Sequence, residues 1–163
     1  MIKPLSKSDL PACLDIFHLG YETVAAEFGL TEQNCPDRGR ASLPMEKLVS
    51  EFESGTAMFG YFIGDEMVGV LGMRMLRPGV CGLEDIIVLP GYRRNGYGKA
   101  LLDFCKQRAR ELGAGKIRLG MIDDNKRLRK WYEDNGFVNA GYKKYDGAPF
   151  TVGKMECELE ELT

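Results

Sequence analysis

A basic, glycine-rich segment near the middle of the chain has the residue types needed to bind an anion. It reads VLPGYRRNGYGKA over residues 88–100, between an apolar run and an amphipathic one. Gly96 and Gly98 allow a ligand to approach the backbone closely, and the first N–H groups of a helix have no partner within the helix. Three side chains add positive charge beside them: Arg93, Arg94 and Lys99. The segment therefore predicts a site for phosphate oxygens, with a pyrophosphate as the natural ligand.

Two familiar phosphate-binding motifs are excluded by spacing. Gly91 and Gly96 have the separation of a Walker loop, but Tyr97 stands where that motif needs lysine. A dinucleotide-binding fingerprint requires a third small residue, and Leu101 occupies its position.

The elements that must position this segment are predicted from hydrophobic periodicity and breakers. Apolar residues from Leu10 to Phe28 recur at steps of three and four, which indicates an amphipathic helix ending near Gly29, and the breaker-rich stretch 31–44 indicates a loop. Further helices are predicted at 45–52, 97–112 and 125–135. Strands are predicted at 57–63, 67–75, 81–89, 116–122, 137–144 and 151–159.

The order of these elements predicts one α/β domain over residues 1–163. Only the unit from Cys81 to Ile122 reads as strand, helix, strand, which requires a parallel pair with a right-handed crossover. The other connections favour antiparallel pairing. The expected fold is a single mixed, mostly antiparallel sheet with helices on both faces.

Composition places the chain among ordinary globular proteins. It has 163 residues, 44% of them hydrophobic and 28% charged, and its apolar runs are far shorter than the about 20 residues of a membrane-spanning helix. The amino terminus lacks the apolar stretch of a secretory signal, so we expect a cytoplasmic protein that does not bind membranes. The five widely spaced cysteines and one histidine predict neither disulfides nor a metal site.

Charge is distributed unevenly along the chain. Residues 93–130 contain twelve Lys or Arg and four Asp or Glu, a net charge of +8, which leaves −10 on the remainder. This asymmetry favours a local polyanionic ligand. Nucleic-acid binding is an alternative explanation, but no helix-turn-helix, RNP or zinc pattern accompanies the basic stretch.

The central segment resembles the coenzyme A loop of the GCN5-related N-acetyltransferase (GNAT) family, [QR]-x-x-G-x-[GA]. Arg93, Gly96 and Gly98 occupy its fixed positions. The V-x-P lead-in at residues 88–90 and the stretch WYEDNGF at 131–137, similar to the family's L-Y-E-x-x-G-F, extend the resemblance. Order and spacing agree from about residue 83 to residue 137, and the family has a splayed parallel strand pair in this region.

The resemblance implies that acetyl-CoA is the co-substrate, with no metal. Pantetheine would follow the backbone of the third long strand, the pyrophosphate would meet the loop, and Asn125 would open the next helix as in the family. The implied cofactor-binding residues are Ile86, Ile87, Val88, Arg93, Arg94, Asn95, Gly96, Tyr97, Gly98, Lys99 and Asn125.

The resemblance also suggests catalytic roles. Tyr132 matches the family's tyrosine that protonates the departing thiolate, although it could instead be a core aromatic. The N–H at or near Val88 would stabilise the oxyanion. Members that place a glutamate five residues before the asparagine would place it at Gly120, so the general base departs from that pattern. Glu84 lies four residues before Val88 and is expected to share its strand face, whereas Asp85 points the other way. A solvated Glu84, or a water relay, is an equal alternative.

The expected activity is therefore direct acetyl transfer from acetyl-CoA to a primary amine of a small molecule or peptide. A non-catalytic acyl-CoA-binding module on the same fold is the alternative, and Tyr132 argues against it. The acceptor would bind near residues 31–44 and 145–150, which contain no motif that identifies it. Many relatives are dimers, so the resemblance also allows a homodimer.

Overall fold

The computed structural model describes residues 1–160, which form four helices and seven strands. The helices are α1 (Leu10–Glu27), α2 (Met45–Glu53), α3 (Tyr97–Glu111) and α4 (Lys126–Asp134). The strands are β1 (Ile2–Pro4), β2 (Ala57–Ile63), β3 (Glu66–Arg77), β4 (Val80–Val88), β5 (Lys116–Ile122), β6 (Val138–Lys144) and β7 (Thr151–Glu158). Within residues 1–160, no helix has the length and apolar character needed to cross a membrane.

The predicted helices and longer strands are all present, with bounds shifted by up to two residues. The sequence reading missed β1, which pairs Ile2 with Tyr61 of β2. Three residues are too few to display a period of two, so β1 is recognisable only through its partner.

All seven strands belong to one sheet with the order β1-β2-β3-β4-β5-β7-β6. Its only parallel neighbours within the described residues are β4 and β5, whose register covers Val80, Cys81 and Gly82 of β4. Beyond Gly82 the two strands continue without pairing, so they splay apart. The fold is the expected single-domain, mostly antiparallel α/β sheet with a splayed parallel pair.

Helices cover both faces of the sheet. On one face α1 and α2 pack over β3 and β4 around Phe17, Leu48 and Val70, all fully buried. On the other face α3 and α4 pack around Leu101, Ile117 and Met155 and related side chains.

α1 lies very close to the end of β4 because Gly20 has no side chain. A Cβ at Gly20 would collide with Ile87. The close approach brings the carboxyl-terminal half of α1 against the part of β4 that has left β5.

Candidate active site

The gap between the splayed strands is a cleft of about 430 Å³. Its walls come from β4, β5, α1, α4 and the two segments expected to bind the acceptor. Gly39 and Arg40 reach it from the first segment, and Phe150 from the second. Both segments contribute to a small apolar cluster: Ala41 is one of its buried residues, and Phe150 packs against the cluster. Residues of both segments therefore form part of the cleft wall.

The β4 wall presents backbone groups that the sheet does not use. The Leu89 N–H donates to the Val68 carbonyl at 2.9 Å, which makes Leu89 a hydrogen-bonded position of the antiparallel ladder. Positions alternate, so the N–H groups of Val88 and Ile86 point away from β3 and toward β5. No residue of β5 pairs with them, because its described register with β4 ends at Gly82. These donors are placed to bond an extended ligand or an oxyanion.

Ile87 differs from its two neighbours. It pairs with Val70 at a hydrogen-bonded ladder position, and its side chain is buried against α1. The expected backbone contacts to pantetheine are therefore available at Ile86 and Val88, while Ile87 anchors the strand.

The amino terminus of α3 has the open geometry of an anion site. Gly96 is the residue before the helix, with a φ of +83°, and within the described residues no side chain caps it. A Cβ at Gly96 would meet nothing within 4 Å among residues 1–160. The N–H groups of Tyr97, Gly98 and Lys99 in the first turn of α3 therefore face open space, where the helix dipole favours negative charge.

The basic side chains of the loop take different positions. The Arg93 guanidinium donates to three protein oxygens: Val88 carbonyl at 3.0 Å, Thr23 Oγ1 at 2.9 Å and Gly20 carbonyl at 2.8 Å. The Arg93 side chain thus connects α1 to β4 through these hydrogen bonds. The sequence predicted instead that its charge would strengthen the anion site. Arg94 is exposed with a φ of +66°, and Lys99 forms an exposed pair with Asp103. Asn95 shapes the turn by donating to the Tyr92 and Arg93 carbonyls.

Asn125 and Tyr132 enter the cleft from α4. Asn125 caps this helix, its Oδ1 accepting from the Leu128 N–H at 3.2 Å. Tyr132 is 5% exposed, with its ring edge-to-face to Trp131 and Phe137. Its hydroxyl has no hydrogen-bond partner in the described part of the chain. Burial, followed by the charges of Cys105 and Asp85, raises the pKa of Tyr132 well above its usual value, so the phenol carries its proton at neutral pH.

Glu84 does not share a strand face with Val88, and that prediction is wrong. Gly72 of β3 pairs with Asp85, but Met73 pairs with Leu83, so Glu84 is the extra residue of a β-bulge. A Cβ at Gly82 would lie 3.0 Å from Glu84 Oε1, which places the carboxylate on the Gly82 face, whereas Val88 packs toward α3. The bulge interrupts the alternation on which the prediction relied. Glu84 still lines the cleft, where it is exposed.

Asp85, which the sequence reading set aside, is the most buried charged side chain of the cleft at 2% exposure. Tyr21 of α1 donates its hydroxyl proton to Asp85 Oδ1 at 2.8 Å, and Arg40 Nη2 donates to Oδ2 at 3.0 Å. Arg40 Nε lies 2.7 Å from Oδ1 but is poorly aligned for a hydrogen bond. A carboxylate inside an apolar strand was a signal that a partner exists, although nothing local to it identifies Tyr21 or Arg40.

Arg40 reaches Asp85 from a strained loop. Arg38, Gly39 and Arg40 all have positive φ, at 50°, 61° and 78°. Arg40 also holds Glu51 of α2 through two hydrogen bonds of 2.9 and 3.1 Å. Consecutive left-handed residues cost free energy unless surrounding contacts compensate, and such strain clusters at functional sites.

Burial raises the pKa of Asp85 to about 6, because desolvation outweighs the attraction of Arg40 and the hydrogen bond from Tyr21. The folded protein therefore binds this proton more tightly than the unfolded chain does. The stabilising effect is complete below the unfolded-state pKa of 3.8 and is lost as pH rises through about 6.

We expect Asp85→Asn to remove this pH dependence. Between pH 4 and 7 the free energy of unfolding of the parent should fall relative to that of the variant by about 2.4 kcal/mol, from about 1.4 kcal/mol per unit of pKa difference and an unfolded carboxyl already partly ionised at pH 4. Denaturant unfolding of both proteins across this range measures the effect. Parallel curves would mean that the pKa of Asp85 is the same in the folded and unfolded chains.

Comparison with known families identifies the fold and its loop. The model of the acetyltransferase (GNAT) family matches residues 24–137, which is most of the chain and includes most of the residues that line the cleft. The protein belongs to the GNAT acetyltransferase family. The GNAT match contains β4, the glycine-rich loop, α3, β5 and α4, whereas Tyr21 and Phe150 of the cleft lie outside it.

Two curated GNAT relatives match over shorter stretches. An uncharacterized N-acetyltransferase of Bacillus velezensis is 34% identical over 68 residues, covering 36% of this chain and 42% of the relative. The uncharacterized N-acetyltransferase YvbK of Bacillus subtilis is 27% identical over 94 residues, covering 58% of this chain and 61% of YvbK. The chain thus spans less than two thirds of either relative.

Solved structures share the GNAT fold over nearly the whole chain. The ribosomal-protein-S18-alanine N-acetyltransferase of Escherichia coli has a TM-score of 0.77 at 18% identity, covering 100% of this chain and 96% of that one. The PaiA N-acetyltransferase of Thermoplasma acidophilum, in complex with coenzyme A, has a TM-score of 0.78 at 21% identity, with coverages of 97% and 98%. At these identities the likeness concerns the fold.

Proposed function

We propose that this GNAT protein is an acetyl-CoA-dependent N-acetyltransferase that transfers the acetyl group directly to a primary amine of a small molecule or peptide. The observation that carries the proposal is the continuity of the donor groups. The outward N–H groups of Ile86, which lines the cleft, and of Val88 come just before the loop that leads to the uncapped first turn of α3. A pantetheine chain and a pyrophosphate have the same order and need the same two kinds of donor.

In this reaction the N–H of Val88 stabilises the oxyanion formed when the amine attacks the thioester. Removal of such a donor typically costs about 3 kcal/mol of transition-state stabilisation. Tyr132 donates its hydroxyl proton to the departing sulfur. Because burial holds the pKa of Tyr132 high, this transfer must be coupled to the return of a proton from the tetrahedral nitrogen. Asn125 fixes the start of α4 and so the depth at which Tyr132 enters.

The charge of the cleft favours an acceptor that arrives as a cation. Glu84 and Asp85 line it directly, and Arg40, the one guanidinium among the described lining residues, is already paired with Asp85 and Glu51. An ammonium group gains from this imbalance, and Glu84, exposed at the bulge, is positioned to attract it. A module that binds coenzyme A without catalysis would explain the glycine-rich loop. It would not explain Tyr132 or the two carboxylates, Glu84 and Asp85, that line the cleft. A cytoplasmic location, a homodimer and the absence of nucleic-acid partners stay predictions.

We expect amine-dependent release of coenzyme A thiol when the protein is incubated with acetyl-CoA. The assay screens linear polyamines, free amino acids and short peptides with free amino termini, and mass spectrometry confirms an acetylated product. Basic acceptors should have the highest kcat/KM because the cleft is acidic. If acetyl-CoA binds tightly but no amine in the panel releases thiol, the binding-module alternative would replace this proposal.

A further inference from the structure

Two side chains in the cleft form a hydrogen-bonded route from the acceptor side into the sheet. Tyr21 lines the cleft and is partly buried, while Asp85 is almost completely buried behind it. The 2.8 Å hydrogen bond joins residues 64 positions apart, and the Tyr21 ring is held against Phe17 with a centroid distance of 5.7 Å. The tyrosine oxygen can still accept a hydrogen bond through a lone pair.

We propose that Tyr21 is a catalytic residue that removes the proton of the acceptor ammonium and passes its own proton to Asp85. This step rests on the proposed function and supplies its missing base. One N–H bond of the ammonium breaks as the Tyr21 oxygen takes that proton, and the Tyr21 O–H proton moves to Asp85 Oδ1. The neutral amine then attacks the thioester, and a second nitrogen proton restores Tyr132 after Tyr132 has protonated the sulfur. Asp85 returns its proton through Tyr21 to solvent after the product leaves.

The geometry favours this pair over Glu84 as the base. Asp85 is fixed by Tyr21 and Arg40, whereas Glu84 is exposed and has no recorded hydrogen bond or ion pair within residues 1–160. A fixed acceptor needs no reorganisation when the proton moves. A carboxyl pKa of about 6 also leaves Asp85 ionised at neutral pH while keeping its basicity near the working range.

Several charged and titratable side chains surround Asp85, and they come from the different helices, strands and loops packed against it. Arg40 opposes its protonation, whereas Glu51 favours it. Burial raises the pKa of three neighbours, Cys13, Tyr21 and Tyr132, and the charge of Asp85 raises each of them further. The opposite residue of β3 is Gly72, which adds no charge. Asp85 is therefore the only carboxylate within the described residues that accepts a hydrogen bond from a cleft-lining tyrosine.

The test measures kcat/KM against pH for the parent and variants, using the panel amine that the parent acetylates most efficiently. Tyr21→Phe should lower kcat/KM at neutral pH by roughly 100-fold, the lower range for loss of a positioned acid or base. The deficit should shrink as pH rises, because more amine arrives already neutral. Asp85→Asn should behave alike, and it should lack the acidic limb near pH 6 that we expect in the parent profile.

A double variant of Tyr21 and Asp85 distinguishes a proton relay from two independent structural effects of the single substitutions. Tyr21→Phe combined with Asp85→Asn should be no slower than either single variant, because residues that act as one unit do not add. Tyr142→Phe, an exposed tyrosine of β6, is the matched control and should keep the parent profile. Acetyl-CoA affinity and thermal midpoint report whether each variant is folded.

A double variant whose loss is the product of the two single losses would overturn the relay, and so would either of two further results. One is a Tyr21→Phe profile that superimposes on the parent's in a folded, coenzyme-binding protein. The other is a Glu84→Gln variant that alone reproduces the pH-dependent loss, which would make Glu84 the base. A parent without activity toward any panel amine would instead contradict the proposed function itself, so the two failures are distinguishable.

Discussion

Gly96→Glu should abolish acetyl-CoA binding while the protein stays folded. The Cβ of the new residue meets no described protein atom within 4 Å, so the side chain has room to extend into the space beside the first turn of α3. That space contains the N–H groups of Tyr97, Gly98 and Lys99, and the glutamate carboxylate would both fill it and repel phosphate. Losing two charge-assisted hydrogen bonds of about 1.5 kcal/mol or more each corresponds to at least about a 100-fold weaker Kd.

The control for this variant must carry the same backbone cost. Gly79, in the turn between β3 and β4, also has a φ of +83° and open space around its Cβ among the described residues. Gly79→Glu therefore introduces the same strain and charge away from the loop, and it should bind acetyl-CoA as the parent does. Isothermal calorimetry on both variants is the measurement. Equal affinities for Gly96→Glu and the parent would remove the α3 terminus from coenzyme binding.

Tyr132→Phe should lower kcat by roughly 100-fold or more and leave acetyl-CoA affinity unchanged. Removing the hydroxyl deletes the group that protonates sulfur, an effect of about that size for a positioned acid. The ring remains, so its edge-to-face contacts with Trp131 and Phe137 survive. The loss should appear in kcat because the interaction is made in the transition state rather than with bound substrate.

Single-turnover acetyl transfer with saturating acetyl-CoA measures this step without product release. The same substitution at Tyr142, which is 74% exposed on β6, serves as the control for removing a phenol hydroxyl. If Tyr132→Phe retains kcat within a few-fold of the parent, Tyr132 is a core aromatic and another group protonates the sulfur.

Local signals were sufficient to predict the helices, the longer strands and the glycine-rich loop, although not β1. The steps of three and four in α1 and the glycine that follows α3 depend on neighbours only a few positions away. Arg93, Gly96 and Gly98 likewise lie within six consecutive residues, so the open start of α3 could be predicted from a short stretch of sequence. The splayed strand pair followed from the family resemblance of the same segment.

Which side chains contact one another in and around the cleft was decided only by tertiary structure. β7 lies between β5 and β6, and the bulge at Glu84 exists because β3 pairs out of step with β4. The Arg93 side chain turned toward α1 for acceptors at Thr23 and Gly20, about 70 positions earlier in the chain. Asp85 accepts hydrogen bonds from Tyr21 and Arg40, which lie 64 and 45 residues earlier in the chain. A buried carboxylate needs hydrogen-bond donors, because an unpaired buried charge costs a large free energy. Tertiary packing determines which donors lie close enough, and no periodicity or spacing along the chain predicts them.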